Sequence, residues 1–190
     1  MGFKRFPQKI QQYNQPLPLV DYLVEMVGDK KEVKILDIGS GPYPLTGQLL
    51  DGVEVEVINC DKTNFDYFWE KYQATPVFPI TIQNMEKLTY EDETFDITHC
   101  INALDHTVDA LSAVKEMIRV CKVGGWVYIN CALIQHTTRG GKHYWDALED
   151  GTFTNGTDTF NLKDFGFIIE HIDNGDPRPY QLVIAKLQKC

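Results

Sequence analysis

Apolar and polar positions follow two periods along this chain. Over 33–38, Val33, Ile35, Leu36 and Ile38 form an apolar run broken only by Lys34 and Asp37, which predicts a buried strand. The run enters Gly39-Ser40-Gly41, and Pro44 marks the first turn of an expected following helix. Val53, Val55 and Val57 alternate with Glu54 and Glu56, so a second strand is expected over 53–61. Further strands are expected over 77–82, 94–101 and 126–133. An aromatic helix fits 65–72. A second helix, capped by Thr107 and stopped by Gly124-Gly125, turns Val108, Leu111, Val114, Ile118 and Cys121 toward the sheet. Upstream, Leu19, Leu23, Met26 and Val27 at helical spacing predict a short helix ending at Gly28. Residues 1–18, with Pro7, Pro16 and Pro18, read as an extended arm, either loose or laid over a pocket.

Strands that alternate with helices imply a parallel sheet with right-handed crossovers. The last third differs. Residues 135–158 are rich in Gly, Thr, His and aromatics, with weak periodicity, and are too long for a plain connection. Asp158 is expected to cap a short helix closing at Gly166. Strands over 167–172 and 181–187 then flank the short turn Asn174-Gly175-Asp176-Pro177, which implies antiparallel pairing at one sheet edge. The domain division expected is an N-terminal arm and short helix over 1–28 and one α/β domain over 29–190.

Gly39 and Gly41 suit a tight turn and a close backbone approach to a ligand, at the strand end where open α/β sheets bind small molecules. The N–H groups of the expected helix add a mildly positive pocket. Asp37 stands in an apolar run, where a carboxylate needs partners. Asp61 ends the second strand, where an acid accepts hydrogen bonds from ribose hydroxyls or serves as a helix N-cap. Tyr43 and Pro44 occupy the place of a third glycine, so the dinucleotide fingerprint is incomplete. A ligand with an adenosine and a charged amino-acid tail fits as well or better.

Composition narrows the field. The chain has 190 residues, 43% of them hydrophobic, which suits one globular domain. Its net charge of −9 disfavours a nucleic-acid partner. The five cysteines show no Cys-x-x-Cys spacing and read as buried hydrophobes in a reducing compartment. No apolar stretch suits a membrane span or a signal peptide, so a cytoplasmic location without membrane association is expected.

With these residues in order, the chain resembles the class I S-adenosylmethionine-dependent methyltransferases of the small-molecule type. The matching segments are Ile35-Leu36-Asp37-Ile38-Gly39-Ser40-Gly41, Asp61, Asn84-Met85-Glu86 before Phe95-Asp96, Asn102-Ala103-Leu104-Asp105-His106, and Val123-Gly124-Gly125. The resemblance implies a Rossmann-like, doubly wound, mostly parallel seven-stranded sheet with an antiparallel last strand. It implies S-adenosyl-L-methionine as cofactor, with Asp37, Gly39, Ser40 and Gly41 around the methionine end and Asp61 with Lys62 at the ribose. Asn84 and Met85 fall at the adenine, and Asn102 with Ala103 near the amino group. Asn84 departs from the acid common at its position and still accepts through its carbonyl oxygen.

The expected activity is methyl transfer to a small-molecule or sugar acceptor, at oxygen. The fourth segment lacks the Asn/Asp-Pro-Pro-aromatic run used on planar amines, which argues against base methylation. Proton removal falls to His106, His136 and His143, because neutral imidazole titrates near the working pH. His106 also reads as a plain helix-entry residue and His143 as a polar surface residue. Arg139 or Lys142 suits a phosphate or carboxylate on the acceptor. His99 and His171 alternate with core residues and read as structural. No paired acids stand at metal spacing, so no metal is expected. Two other readings are a catalytically silent S-adenosylmethionine-binding subunit of a partner enzyme and a nicotinamide oxidoreductase.

Overall fold

The structure is a computed structural model, and it describes residues 10, 12–43, 45–133, 143–172 and 182–190. Among the described residues, ten strands fall into two sheets. The strands are β1 (Glu32–Ile38), β2 (Glu54–Asp61), β3 (Ile80–Ile82), β4 (Phe95–Ile101), β5 (Cys121–Ala132), β6 (Asp146–Ala147), β7 (Thr152–Thr154), β8 (Thr159–Asn161), β9 (Ile168–Ile172) and β10 (Leu182–Gln188). The helices are α1 (Asp21–Val27), α2 (Asp66–Tyr72) and α3 (Ala110–Val120). The main sheet runs in the order β3-β2-β1-β4-β5-β10-β9. Its first five strands pair in parallel, and β10 is antiparallel to both β5 and β9. This is the expected doubly wound sheet. The order reverses between β1 and β4, which opens a crevice at their carboxyl ends.

Apolar side chains fill both faces. On one face, Leu23, Met26 and Val27 of α1 pack on Val33, Ile35, Ile97, Tyr128 and Ile184. On the other, Val114 and Met117 of α3 pack on Leu36, Ile38, Cys100 and Ile129, together with Trp145, Phe153 and Leu162 from the last third of the chain. Of these, Phe153 lies in the second sheet, β6-β7-β8, with Trp145 just before it and Leu162 just after. The strands of this sheet have two or three residues each; β6 and β7 lie where a long loop was expected, and β8 where a short helix was.

Several elements depart from their expected form, each for a local reason. No helix follows β1: residues 41–43 and 45–48 run through turns and bends. Pro42 and Pro44 offer no N–H, and the strand-like segment 46–49 bonds the arm instead. Leu19 N donates to Leu49 O (2.7 Å), Val20 N to Thr46 O (3.0 Å) and Gln48 N to Leu17 O (2.8 Å). The described part of the arm is therefore anchored, and at Ile10 to Asn14 it is not extended, since Asn14 N donates to Ile10 O (2.9 Å) in a helical turn. Tyr13 stacks on Tyr43 at 5.8 Å, and Asn14 bonds the backbone of Thr75 and Val77. Strand β3 begins only after Pro79, which cannot join a ladder.

Helix α3 is capped by Asp109, whose carboxylate accepts from Ser112 N (3.0 Å), and not by Thr107, whose hydroxyl donates to Leu104 O. The later start rotates the buried face to Ala110, Ala113, Val114, Met117 and Val120, leaving Val108 exposed and Cys121 inside β5. The short helix near Gly166 is a 3₁₀ turn, Leu162–Phe165, capped by Asn161 and not by Asp158. The turn Asn174-Gly175-Asp176-Pro177 lies outside the described residues.

Candidate functional site

A cleft of about 410 Å³ opens where the strand order reverses. Its walls come from the ends of β1 (Ile38, Gly39), β2 (Cys60, Asp61, Lys62, Thr63) and β4 (Asn102, Ala103), from the turn Gln83–Glu86, and from His106, Thr107 and Tyr144. Of the residues expected from the sequence, Gly39, Asp61, Lys62, Asn84, Met85, Asn102, Ala103 and His106 meet on this surface. Ser40 and Gly41 lie beside it, and Asp37 lies behind it. His136, Arg139 and Lys142 fall outside the described residues.

The corner after β1 is tight. Gly39 has φ +70°, and a Cβ there would stand 2.3 Å from the Ala103 side chain. Only glycine lets β1 and the segment after β4 approach so closely. Gly39 N and Ser40 N donate to Cys60 O at 2.8 and 3.2 Å, and Gly41 N donates to Asp61 Oδ2 at 3.2 Å. The expected positive pocket of helix N–H groups is therefore absent, because the helix is absent and these donors bond to the end of β2.

Asp61 faces the cleft with each oxygen holding backbone: Oδ2 takes Gly41 N, and Oδ1 takes Thr63 N at 2.8 Å. A carboxylate oxygen has two lone pairs, so capacity for hydroxyl donors remains. Opposite, Met85 lends an apolar wall, and Asn84 closes a turn in which Lys87 N donates to Asn84 O (2.9 Å) and Glu86 N to Asn84 Oδ1 (3.1 Å). Asn102 adopts φ +49°, a conformation that asparagine tolerates better than most residues. Its Oδ1 accepts from Ala132 N at 3.0 Å, which spans the gap between β4 and β5. The Cys60 thiol on the wall is inert, since burial pushes it up to about 12, helped by the Asp37 and Asp61 charges.

Behind the corner, Asp37 is buried against Nδ1 of His99 at 2.8 Å, and His99 Nε2 meets Tyr22 OH at 2.9 Å. A carboxylate only accepts, so His99 donates from Nδ1 and accepts the Tyr22 hydroxyl at Nε2. Tyr22 stacks on Tyr128 at 4.5 Å, and desolvation raises its hydroxyl well above the ordinary value, which keeps it a donor. This chain of contacts holds the end of β1 in place, and His99 is structural as expected.

At the other end of the cleft, Asp105 is buried and its Oδ2 lies 2.5 Å from His143 Nδ1. His106 and His143 have ring centroids 4.2 Å apart. Tyr144 N and Trp145 N donate to Asp105 O at 2.8 and 3.3 Å, which fixes His143 at this spot. Lys62 Nζ donates to His106 O at 3.1 Å. Sequence reasoning missed Tyr144, Thr63, Gln83 and Glu86 as lining residues, and read Ile38, Cys60 and Thr107 only as strand or cap residues. Glu86 had a signal in its motif neighbours, and the other missed residues had none.

A doubly wound sheet with an antiparallel strand beside its edge, and a polar cleft at the strand-order reversal, defines a Rossmann-like α/β protein. Residues 36–129 match the family model of the methyltransferase domain, in keeping with the resemblance to the class I S-adenosylmethionine-dependent methyltransferases. Over 116 residues it is 30% identical to the ubiquinone/menaquinone biosynthesis C-methyltransferase UbiE of Idiomarina loihiensis, covering 57% of this chain and 46% of that protein. Over 120 residues it is 26% identical to the ubiquinone biosynthesis O-methyltransferase of Nitrosomonas europaea, covering 60% and 50%. The chain thus spans half or less of the length of these curated relatives. A solved S-adenosylmethionine-dependent methyltransferase from Aquifex aeolicus shares the fold, with a TM-score of 0.51, 18% identity, and coverage of 95% of this chain and 97% of that one. No helix among the described residues is long and apolar enough to cross a membrane.

Proposed function

We propose that this chain transfers a methyl group from S-adenosylmethionine to a hydroxyl of a small-molecule or sugar acceptor. The observation that carries this reading is the cleft itself, where an acid at the end of β2 faces a methionine wall and two histidines stand at the opposite rim. In this reading Asp61 accepts the ribose hydroxyls, Met85 and Asn84 border the adenine, and Gly39 with Asn102 flanks the methionine end. Asp37 acts from behind, by holding the corner. Net charge of −9 supports an acceptor other than nucleic acid.

S-adenosylmethionine, when bound, would supply a methyl carbon activated by a sulfonium, which leaves with the carbon–sulfur electron pair as the acceptor oxygen takes the methyl. The protein's share is alignment and proton removal. Holding two reactants in line within about 3–3.5 Å accounts for roughly 7–11 kcal/mol of such a barrier. The hydroxyl proton passes to the imidazoles at the rim, with His106 on the cleft wall and His143 oriented by Asp105.

Calorimetric titration with S-adenosylmethionine, followed by assay of S-adenosylhomocysteine release with hydroxylated small molecules and sugars, tests the proposal. Asp61→Ala is expected to weaken cofactor binding by about 1.5–3 kcal/mol, the worth of hydrogen bonds to a charged group. Unchanged affinity would remove Asp61 from the ribose. A second reading, a cofactor-binding subunit without turnover, draws on the missing helix after Gly41. Tight binding with no product from any acceptor would favour it.

A further inference from the structure

Asp105, His106 and His143 bring one carboxylate oxygen and two imidazole nitrogens within 4.8 Å of one another. His143 Nδ1 lies 2.5 Å and His106 Nε2 3.9 Å from the same atom, Asp105 Oδ2. Two of these residues are consecutive in the 3₁₀ turn Leu104–His106. The third arrives from across the chain, held by the two backbone bonds to Asp105 O. That anchoring gives the cluster a rigid base.

Asp105 is only 2% exposed, and its second oxygen, Oδ1, is buried without a hydrogen-bond partner. An unpartnered oxygen on a buried carboxylate is costly, and the cost falls when a cation joins the group. The Lys62 ammonium on this rim donates to His106 O (3.1 Å).

We propose that Asp105, His106 and His143 bind one divalent transition-metal ion at the acceptor end of the cleft. Two imidazoles and one carboxylate suit zinc, cobalt or iron(II), whereas magnesium prefers a shell of oxygens. Three protein ligands leave a coordination position open. His106 lines the cleft, so that position is within reach of an acceptor hydroxyl. Bonds of about 2.0–2.1 Å at tetrahedral angles place ligand atoms roughly 3.3 Å apart. His143 therefore withdraws, and His106 advances, by less than about 1 Å each. Loading takes the place of the proton between His143 Nδ1 and Asp105, which a neutral imidazole carries over to its Nε2.

With a metal bound, both imidazole nitrogens are ligands and the polarised acceptor hydroxyl loses its proton to water instead of to them; that role rests on the methyl-transfer reading, while the site itself does not. The test uses the intact chain, stripped with a chelator and titrated with Co²⁺ while visible absorption and heat are followed. Expected are one Co²⁺ per chain, displacement by Zn²⁺, and affinity at least about tenfold weaker in both His143→Ala and Asp105→Asn. No stoichiometric uptake, uptake unchanged in His143→Ala, or an absorption band of thiolate-bound cobalt would overturn the site. Should Asp105→Asn fail to fold, His143→Ala with an unchanged circular dichroism spectrum decides alone. A parallel titration with S-adenosylmethionine separates the two ideas. Cofactor binding without metal uptake removes the metal site only, and metal uptake without cofactor binding leaves the site standing and removes the methyltransferase reading.

Discussion

Asp96 sits near the amino end of β4, at the end of the sheet opposite the cleft, with Lys30 Nζ and Lys34 N on its two oxygens and Lys122 Nζ at 3.0 Å. Burial raises its carboxyl, but these hydrogen bonds outweigh burial and hold it below the ordinary value. A carboxyl held low when folded stabilises the chain above the unfolded value, near about 3.9, and that stability is lost as pH falls through the folded value. Both lysines are well exposed, with side-chain exposures of 39% and 43%, so screening trims the effect. Asp96→Asn is expected to cost about 1 kcal/mol at neutral pH. Urea denaturation should show the gap from wild type narrowing below about pH 4; an equal gap at both pH values would contradict this account of Asp96. The need for partners was legible at Asp37, a carboxylate within an apolar run. Which partners came was not, since His99 and Tyr22 lie 62 and 77 residues apart along the chain from the atoms that they bond.

The segment between β1 and β2 shows how tertiary contact overrides a local signal. Pro44 suits the start of a helix, but Gly47 adopts φ +75°, and a Cβ there would stand 1.9 Å from Pro18 O. The arm's backbone occupies the space, and the segment pairs with it. Gly47→Ala is therefore expected to destabilise the chain by about 2 kcal/mol or more, through steric overlap with backbone and a left-handed φ. Thermal unfolding followed by circular dichroism checks this, and an unchanged midpoint would mean that the arm is not seated there. Other departures carried quieter signals. Asp109 and Ser112 stand at cap spacing two residues beyond Thr107, and Pro79 cuts β3 short. Strands β6 to β8 carried none, because two or three residues hold too little periodicity to read.

Across the whole molecule, the parallel sheet was legible from its strand patterns, and the site from three strand ends, since β1, β2 and β4 finish at or just before Gly39, Asp61 and Asn102. Those terminal residues converge at the reversal of strand order, which explains why Gly39, Asp61 and Asn102 meet although each lies on a different strand. The rim was less legible: Tyr144 lines the cleft and His143 meets Asp105 beside it, where Asp105 O binds the backbone of Tyr144 and Trp145. The central claim is that the adenosyl sulfonium occupies this cleft. A crystal of the intact chain grown with S-adenosylmethionine tests it most directly. The account predicts the ribose on Asp61, the adenine beside Met85, and the methyl group directed toward His106. Clear density for the compound at another place on the protein, with the space beside Gly39 filled by side chains, would contradict it.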